Sequence, residues 1–244
     1  MYCYTHFSYW GKPKWTIDFH GRPLDGAWGM LGALARAVDE GFPLFDGAYL
    51  ASISASDLRR ILRGNVEIPM FQERLDILHE VGRVLVAQFD GSFINLIRAA
   101  ENDAVALVRL LVTRFPSFDD VATLEGHTVA FYKRAQLATA MLYEAFEGKG
   151  LGDIHRVEEL TVFADCKLPQ VLRHLSILRY APHLAERIDR LEPLEAGSRE
   201  EVEIRAATVW TGELMQVVSR LLHYSSSRMR LFTCSASSGV TSTL

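Results

Sequence analysis

Two short segments place charged side chains among apolar ones, and these residues have types and spacing suited to chemistry. Phe131-Tyr-Lys-Arg-Ala-Gln136 sets Lys133 in an apolar helical run, and Phe163-Ala-Asp-Cys-Lys-Leu-Pro-Gln170 sets Asp165 just before another apolar helix. A charge in hydrophobic surroundings is costly unless it is paired or takes part in chemistry. Lys133 and Asp165 are therefore the first candidates for an ion pair or a reactive site.

Each of these two residues also has a purely structural interpretation. Asp165 lies just before Leu168-Pro169, where a helix starts, so its carboxylate could accept hydrogen bonds from the first backbone N–H groups of that helix. The Lys133 ammonium could reach solvent while its aliphatic stem stays in the core. The residues alone leave both interpretations open.

Three other motifs do not support the chemistry that they superficially resemble. Gly148-Lys-Gly-Leu-Gly152 lacks the Gly-Lys-Ser/Thr ending of a phosphate loop and follows a helix, which makes it a helix stop. The histidines form no HxxxH or HxH pair, which disfavours a metal site. The serines after Tyr224 form no Gly-x-Ser-x-Gly elbow, so nothing supports a serine hydrolase.

The segment Glu200-Glu-Val-Glu-Ile-Arg205 contains a pair at helical spacing. Glu201 and Arg205 are one turn apart, and such a pair contributes about 0.3–0.5 kcal/mol on a surface. We interpret the first two glutamates as a solvated face. Glu203 and Arg205 stay open as binding residues, because the isoleucine between them and the later Trp210 indicate close packing.

The length and charge of the chain limit the classes of partner. A chain of 244 residues can bury a sufficient core without disulfides or a structural metal. Its formal net charge of −4 lacks the basic excess that duplex nucleic acid or an anionic membrane requires. A small phosphorylated ligand needs only a few local cations. We therefore expect a small-molecule partner, no nucleic acid polymer and no membrane, while the oligomeric state stays open.

Cysteine usage and hydropathy favour a cytoplasmic location. Cys3, Cys166 and Cys234 are odd in number and share no CxxC spacing, as is typical of a reducing compartment. The first residues have neither a basic nor an apolar signal region. The most apolar stretch, residues 26–38, is too short to span a bilayer.

Apolar periodicity predicts a single, mainly α-helical domain over residues 1–224. The predicted helices cover residues 26–38, a segment from Ser56, a long helix from Pro69 to Phe89, residues 93–100, 105–115 and 128–146, a segment from Pro169, and residues 200–222. Phe7–Trp10 and Trp15–Phe19 are predicted to form a small N-terminal β-hairpin around Gly11–Lys14. The Ser-rich residues 225–244 are predicted to form a disordered tail.

The segments that carry Lys133 and Asp165 belong to a longer series of short motifs that occur in order along the chain. The motifs are Phe7–Trp10, Gly26–Trp28, Asp90–Phe93, Phe115–Phe118, Phe131–Gln136, Phe146–Gly150, Leu160-Thr161, Phe163–Asp165, Pro169–Leu172 and Glu201–Arg205. Most are weak signals singly. Together, at this spacing and from about Phe7 to about Trp210, they resemble one family, the queuosine salvage proteins, which are queuosine 5′-phosphate N-glycosylases.

The resemblance implies a fold similar to that of the helical DNA glycosylases. It also implies hydrolysis of the N-glycosidic bond of queuosine 5′-monophosphate, which frees queuine for reuse in tRNA modification. In this chain Asp165 would be the catalytic carboxylate and Lys133 its partner, with no metal or organic cofactor. The implied substrate-binding residues are Phe7, Trp10, Tyr132, Phe163, Glu203 and Arg205.

The implied reaction gives the carboxylate a defined task. Breaking the C–N bond builds positive charge on the ribosyl ring, which a fixed carboxylate stabilises, or the carboxylate orients water toward C1′. Queuine is a 7-deazapurine without N7, so protonation of the leaving group at that atom is not available and more of the barrier must be lowered at the sugar. Lys133 either keeps Asp165 ionised or contacts the phosphate or base, and the sequence does not decide between these roles.

The two ends of the chain keep other functions open. Family members carry a helical region before the segment that matches Phe7, and the chain is expected to lack it. They also end in an aromatic segment with His and Arg, where this chain becomes Ser-rich after Tyr224. The alternatives are a glycosylase that acts on DNA, which the acidic balance disfavours, and a catalytically inert helical scaffold.

Overall fold

The computed structural model describes the backbone of residues 2–221 and the side chains of residues 3–218, so the predicted tail lies outside the described residues. The helices are α1 (Tyr2–Thr5), α2 (Gly26–Asp39), α3 (Gly47–Ser52), α4 (Ala55–Ile61), α5 (Phe71–Phe89), α6 (Phe93–Ala99), α7 (Ala104–Arg114), α8 (Lys133–Ala145), α9 (Lys167–His174), α10 (Pro182–Asp189) and α11 (Arg199–Leu221). The strands are β1 (Thr16–Phe19), β2 (Arg22–Asp25), β3 (Val121–Leu124) and β4 (His127–Ala130). The predicted mainly α-helical class with a small hairpin is confirmed.

The N-terminal hairpin contains one of the two predicted strands, because β1 lies within the predicted Trp15–Phe19, but its second strand is a different one. β1 pairs with β2 in antiparallel register, and Thr16 lies opposite Asp25. The turn between them, His20-Gly21, has positive φ angles of 52° and 75°, as a two-residue hairpin turn requires. The prediction that Phe7–Trp10 forms a strand is wrong, because Arg74 of α5 binds the backbone carbonyls of that segment from the side.

A second hairpin replaces the first turns of the helix predicted over residues 128–146. β3 pairs with β4 through the turn at Glu125-Gly126, whose φ angles are 50° and 80°. Tyr132 then adopts a left-handed conformation, φ 48°, and α8 begins at Lys133. The apolar run 128–146 fits a helical pattern, whereas the β-branched residues at its start favour a strand. Lys133 therefore lies at the first position of a helix.

The remaining predicted helices are found with ends shifted by a few residues, whereas three short helices, α1, α3 and α10, were not predicted. The carboxylate of Asp46 caps α3 by accepting a hydrogen bond of 2.7 Å from Ala48 N. Pro182 occupies the first turn of α10, a position that proline favours. The three unpredicted helices have four, six and eight residues, fewer than the window of about 11–18 residues over which apolar periodicity is normally assessed.

The main core is built around α5. Leu78, Val81 and Leu85 of this helix are fully buried, and α3 crosses it closely at Gly82. A second, small cluster consists of Phe131, Ala164 and Val202, with partly buried neighbours around it. It joins the end of the second hairpin and the segment before α9 to α11. This small cluster includes Ala164, the residue before Asp165, and Phe131, two residues before Lys133.

No helix in the described part of the chain combines the length and apolar composition needed to cross a bilayer. The longest described helix, α11, has 23 residues, but charged residues recur along its first half. Some of its apolar side chains pack in the small cluster, whereas several apolar side chains later in the helix are exposed.

We predict that Gly82→Ala destabilises the fold by about 3 kcal/mol, because overpacking a close contact forces the backbone apart. A Cβ atom at this position would lie 2.0 Å from the backbone nitrogen of Ala51 in α3. Urea unfolding followed by circular dichroism measures the change. Gln88→Ala, on the exposed side of α5, serves as the control and is expected to change stability by less than about 0.5 kcal/mol. Equal stability of Gly82→Ala and wild type would contradict the packing argument.

Candidate active site

The structure brings Lys133 and Asp165 together as an ion pair. Lys133 Nζ lies 3.6 Å from Asp165 Oδ2, and the two side chains are 13% and 34% exposed. The Lys133 side chain is therefore largely withdrawn from water, while about a third of the Asp165 side chain is accessible to solvent.

The two oxygens of Asp165 have different tasks. Oδ1 accepts hydrogen bonds from the backbone N–H groups of Lys167 (2.8 Å) and Leu168 (3.2 Å) in the first turn of α9. Oδ2 faces Lys133. The helix-start interpretation of Asp165 and its pairing with Lys133 thus hold at the same time. A carboxylate held at both oxygens has a fixed orientation, and the helix N-terminus favours its negative charge.

The position of Lys133 is set by Asp120, which precedes the second hairpin. The Asp120 backbone carbonyl accepts hydrogen bonds from Phe131 N (2.9 Å) and Tyr132 N (3.2 Å). Its Oδ2 atom accepts a hydrogen bond of 3.1 Å from Lys133 N. Asp120 therefore caps α8 from across the hairpin, a task that usually falls to the residue before the helix.

Arg205 of α11 connects the segment before Lys133 to the segment before Asp165. Its Nη2 atom lies 2.5 Å from Asp120 Oδ2, and its Nε donates to the carbonyl of Ala164 at 3.2 Å. Its Nη1 atom lies 3.3 Å from Glu201 Oε1. The guanidinium also lies 3.9 Å from the centre of the Phe131 ring. With 16% of its side chain exposed, Arg205 is a largely buried connection.

Gln136 provides a second connection between α8 and the segment before α9. Its Nε2 atom donates to the carbonyl of Phe131 at 2.9 Å, and its Oε1 accepts from Thr161 N at 2.8 Å. Both segments that carry the ion pair are therefore joined at two points. Their separation does not depend on the Lys133–Asp165 contact alone.

The N-terminal segment is held near the pair by Arg74, which is fully buried in α5. Its Nη2 atom donates to the carbonyls of Phe7 and Ser8, both at 2.6 Å, and its Nη1 donates to the carbonyl of Thr5. The Phe7 ring lies 4.4 Å from the guanidinium carbon. Burial lowers the pKa of Arg74 to about 10, so the group stays charged at neutral pH.

Arg134, the residue after Lys133, holds the same segment from the other side. Its Nη1 atom donates to the carbonyl of Tyr4 at 3.2 Å, and its Nη2 donates to the carbonyl of Ser117. Its guanidinium carbon lies 5.3 Å from the Phe7 ring centre. Burial lowers the pKa of Arg134. Phe7 is therefore enclosed between two arginine side chains.

His6 contributes a neutral ring close to the ion pair. Burial first, and then the positive charge of Lys133, lower the pKa of His6 to about 4, while the negative charge of Asp165 opposes this effect. The ring is oriented by a hydrogen bond of 3.2 Å between Nδ1 and Tyr9 Oη. At neutral pH this side chain is a polar, uncharged neighbour of the pair.

The predicted aromatic binding residues lie at different distances from open solvent. Trp10 is 60% exposed, and the Lys167 ammonium lies 5.1 Å from its ring centre, which places Trp10 beside the start of α9. Tyr132 is half-buried and packs against the main core. Phe163 is half-buried two residues before Asp165. Their roles in binding, like that of Phe7, stay predictions.

The environments of the two glutamates near Arg205 are the reverse of those that the sequence indicated. Glu203 lies 2.7 Å from Arg199, and both side chains are about half exposed or more, so the structure does not bring Glu203 to the ion pair. The interpretation of Glu201 as part of a solvated face is wrong, since its side chain is 23% exposed and pairs with Arg205. Both glutamates flank the buried Val202, so adjacency to an apolar residue does not distinguish them.

Sequence reasoning missed three residues that position the site. Arg74 had a usable signal, because it falls between Phe71 and Leu78 on the apolar face of its helix. Asp120 had none, since nothing local distinguishes it from the preceding aspartate and its partner Arg205 lies 85 positions away. Arg134 lies within the motif Phe131–Gln136 but has no local signal of its own, because its carbonyl partners come from distant segments.

Two surface concavities of the described residues lie away from the ion pair. One of about 480 Å³ is lined by residues between β1 and the end of α4, including Asp18, Arg36 and Asn65. Another, of about 400 Å³, surrounds Asp103 and Arg156. Across the part of the chain that the structure describes, no group of three or more His, Cys, Asp or Glu side chains is arranged to hold a metal ion.

Comparison with known proteins gives one consistent result. The family model described as "Queuosine salvage protein" matches residues 4–236, a range that extends beyond the sequence motifs at both ends. A protein of Sphaerobacter thermophilus is 51% identical over 206 residues, covering 84% of this chain and 64% of that protein. A Bos taurus protein is 39% identical over 216 residues (86% and 63%), and one of Nematostella vectensis is 33% identical over 221 residues (88% and 64%). All three are named queuosine 5′-phosphate N-glycosylase/hydrolase. The chain thus spans slightly less than two thirds of the length of each.

We predict that His6 makes stability depend on pH between about 6.5 and 4. Above pH 6.5 the ring is neutral in both states, whereas below it the unfolded state binds a proton that the folded state, with a His6 pKa of about 4, does not. Stability is therefore lost as pH falls. Urea unfolding of wild type and His6→Asn at pH 7 and pH 4.5 measures this, and the loss should be smaller in the variant by about 2 kcal/mol. Equal losses in the two proteins would contradict the role of His6.

Proposed function

The chain belongs to the queuosine salvage protein family, and from this premise we propose that it hydrolyses the N-glycosidic bond of queuosine 5′-monophosphate and releases queuine. Relatives that align with most of this chain carry the name of that activity. The observation that carries the proposal is the Lys133–Asp165 pair, whose carboxylate is fixed in orientation yet one third exposed. A carboxylate with these properties suits a reaction that builds positive charge on a sugar.

In this proposal Asp165 acts on the ribosyl ring. Departure of the base leaves positive charge at C1′ and on the ring oxygen, and an oriented carboxylate stabilises that charge or directs water to C1′. The hydrogen bonds from the start of α9 and the charge of Lys133 favour the ionised form of the carboxylate. Such stabilisation by one oriented group is worth about 10²–10³-fold in rate.

The geometry supports the pairing role for Lys133 over a role confined to phosphate contact. Its ammonium lies within 3.6 Å of Asp165 and its side chain is 13% exposed. An ammonium has three N–H donors, so one directed at Asp165 leaves others for a substrate oxygen. We therefore place Lys133 next to the reacting sugar, with a primary effect on the charge of Asp165.

The proposed partner is a single nucleotide, with no metal or organic cofactor taking part. The site offers a few local charges and an exposed tryptophan beside Lys167, a scale that suits a small phosphorylated ligand better than a polymer. The cytoplasm is the proposed location, and the unpaired thiols of Cys3 and Cys166 fit a reducing compartment.

We predict that Asp165→Asn lowers kcat at least about 100-fold while the fold is kept, because the amide oxygen can still accept the hydrogen bonds that start α9 but carries no charge. The measurement is chromatography of free queuine after incubation with queuosine 5′-monophosphate. Asp189→Asn is the matched control: this aspartate pairs with Arg173 at 2.8 Å and is 63% exposed, and its loss is expected to leave turnover unchanged.

Two outcomes would contradict separate parts of the proposal. Near-normal turnover by Asp165→Asn would remove this carboxylate from the mechanism. No queuine release by folded wild type would refute the activity itself. In that case a rise in melting temperature with added queuine distinguishes a binding protein from an inert scaffold, because a ligand that binds only the folded state stabilises it.

A further inference from the structure

We propose that Arg205 and Asp120, which we call the Arg205–Asp120 bridge, are positioning residues that set the separation between Lys133 and Asp165. The inference rests on the proposed function, in which those two residues act on the substrate. It assigns Arg205 a role different from the substrate binding that the family resemblance implied. Neither residue of the bridge needs to touch the nucleotide.

The contacts of Arg205 show that its nitrogens are already used by the protein. Nη2 contacts Asp120 Oδ2, Nε contacts the Ala164 carbonyl, and Nη1 contacts Glu201. The face of the guanidinium lies on the Phe131 ring. A group with each nitrogen and one face occupied has little capacity left for a ligand. Its contacts instead determine where the neighbouring segments lie.

The bridge binds the residue adjacent to Asp165 in the chain, and it binds the backbone of Lys133 through one hydrogen bond. Ala164, whose carbonyl Arg205 binds, is the residue immediately before Asp165. Asp120 Oδ2 accepts from both Arg205 Nη2 and Lys133 N, so a single oxygen atom connects the guanidinium to the start of α8. A displacement of Arg205 would therefore move both members of the ion pair relative to each other.

Apolar packing alone is too small here to fix that separation. The main core lies around α5, whereas the cluster at the bridge has only Phe131, Ala164 and Val202 as its buried members. Directional hydrogen bonds hold a geometry more strictly than a small hydrophobic contact does, and charge-assisted ones are the strongest of them. The 2.5 Å contact between Arg205 and Asp120 is of this kind.

Only arginine has the shape that these contacts require. Adjacent nitrogens on one edge of a planar guanidinium reach two acceptors at once, here a carbonyl of one segment and a carboxylate of another. A lysine ammonium at the end of a flexible chain is a point charge without that fork. The charge alone would not reproduce the bridge.

The first arm of the test is steady-state kinetics of queuine release by Arg205→Lys, Arg205→Gln and Asp120→Asn. Each is expected to lower kcat by about 10–100-fold, the cost of misplacing reacting groups by about 1 Å, with KM changed less than about threefold because no substrate contact is lost. Arg199→Gln, an exposed arginine of the same helix, is the matched control and is expected to match wild type. Glu201→Gln removes another partner of Arg205 without touching the Ala164 or Lys133 segments and is expected to have the smaller effect.

The second arm does not depend on turnover. Hydrogen–deuterium exchange with mass spectrometry follows the amides of Lys133, Lys167 and Leu168, which donate to Asp120 and Asp165. In Arg205→Gln we expect at least about tenfold faster exchange in the peptides that contain them, and unchanged exchange in α5. This result supports the bridge even if wild type releases no queuine, an outcome that would refute the proposed function alone.

Four results would overturn the inference. The first two are a kcat of Arg205→Gln within about twofold of wild type and full activity of Arg205→Lys. The other two concern exchange in Arg205→Gln: unchanged exchange in the peptides that contain Lys133, Lys167 and Leu168, or faster exchange throughout α5. The last would show that Arg205 supports the whole fold rather than the ion pair. Equal losses of kcat in Glu201→Gln and Asp120→Asn would remove Asp120 from the bridge and overturn its assigned part.

Discussion

The candidate site depends on one constraint, which is that the backbone carbonyls of its non-helical segments must find hydrogen-bond donors. A buried carbonyl without a donor costs about 1–3 kcal/mol, and around this site the donors are arginine side chains. Arg74 binds the carbonyls of Thr5, Phe7 and Ser8, Arg134 those of Tyr4 and Ser117, and Arg205 that of Ala164. Each arginine lies on a helix and reaches carbonyls outside the α-helices or at the C-terminal end of α1, where no intrahelical N–H is available. The helical scaffold thus fixes loops that could not fix themselves.

The division of the core into two unequal clusters separates stability from chemistry. The main core around α5 excludes water over most of the domain, whereas the small cluster leaves Asp165 one third exposed. Complete burial of the ion pair would impose a desolvation cost that its attraction does not recover. Complete exposure would weaken the pair through solvent screening. The intermediate position keeps Lys133 shielded and Asp165 accessible, as the proposed reaction at a charged sugar requires.

Local sequence signals predicted the parts of the structure that local physics determines. Periodicity gave the long helices, and the apolar context of Lys133 and Asp165 singled them out before any contact was known. Tertiary contacts decided the rest. Phe7–Trp10 has the composition of a strand, yet Arg74 binds its carbonyls from α5, and Asp120 acquires its role only through a partner 85 positions away. The second hairpin was hidden because its second strand, β4, overlaps the start of the apolar run 128–146, which a helix pattern also fits.

The second hairpin has ends that are joined independently of its tip. Asp120 contacts Phe131, Tyr132 and Lys133 across its base, while the turn at Glu125-Gly126 is exposed. Once the ends of a loop are held together, its length enters only through closure entropy, at about 0.6 kcal/mol for each doubling. Insertions at this turn would therefore be absorbed there and would not displace the ion pair. The tip of the hairpin is thus a place where a peptide or a reporter can be inserted into the domain with little effect on the site.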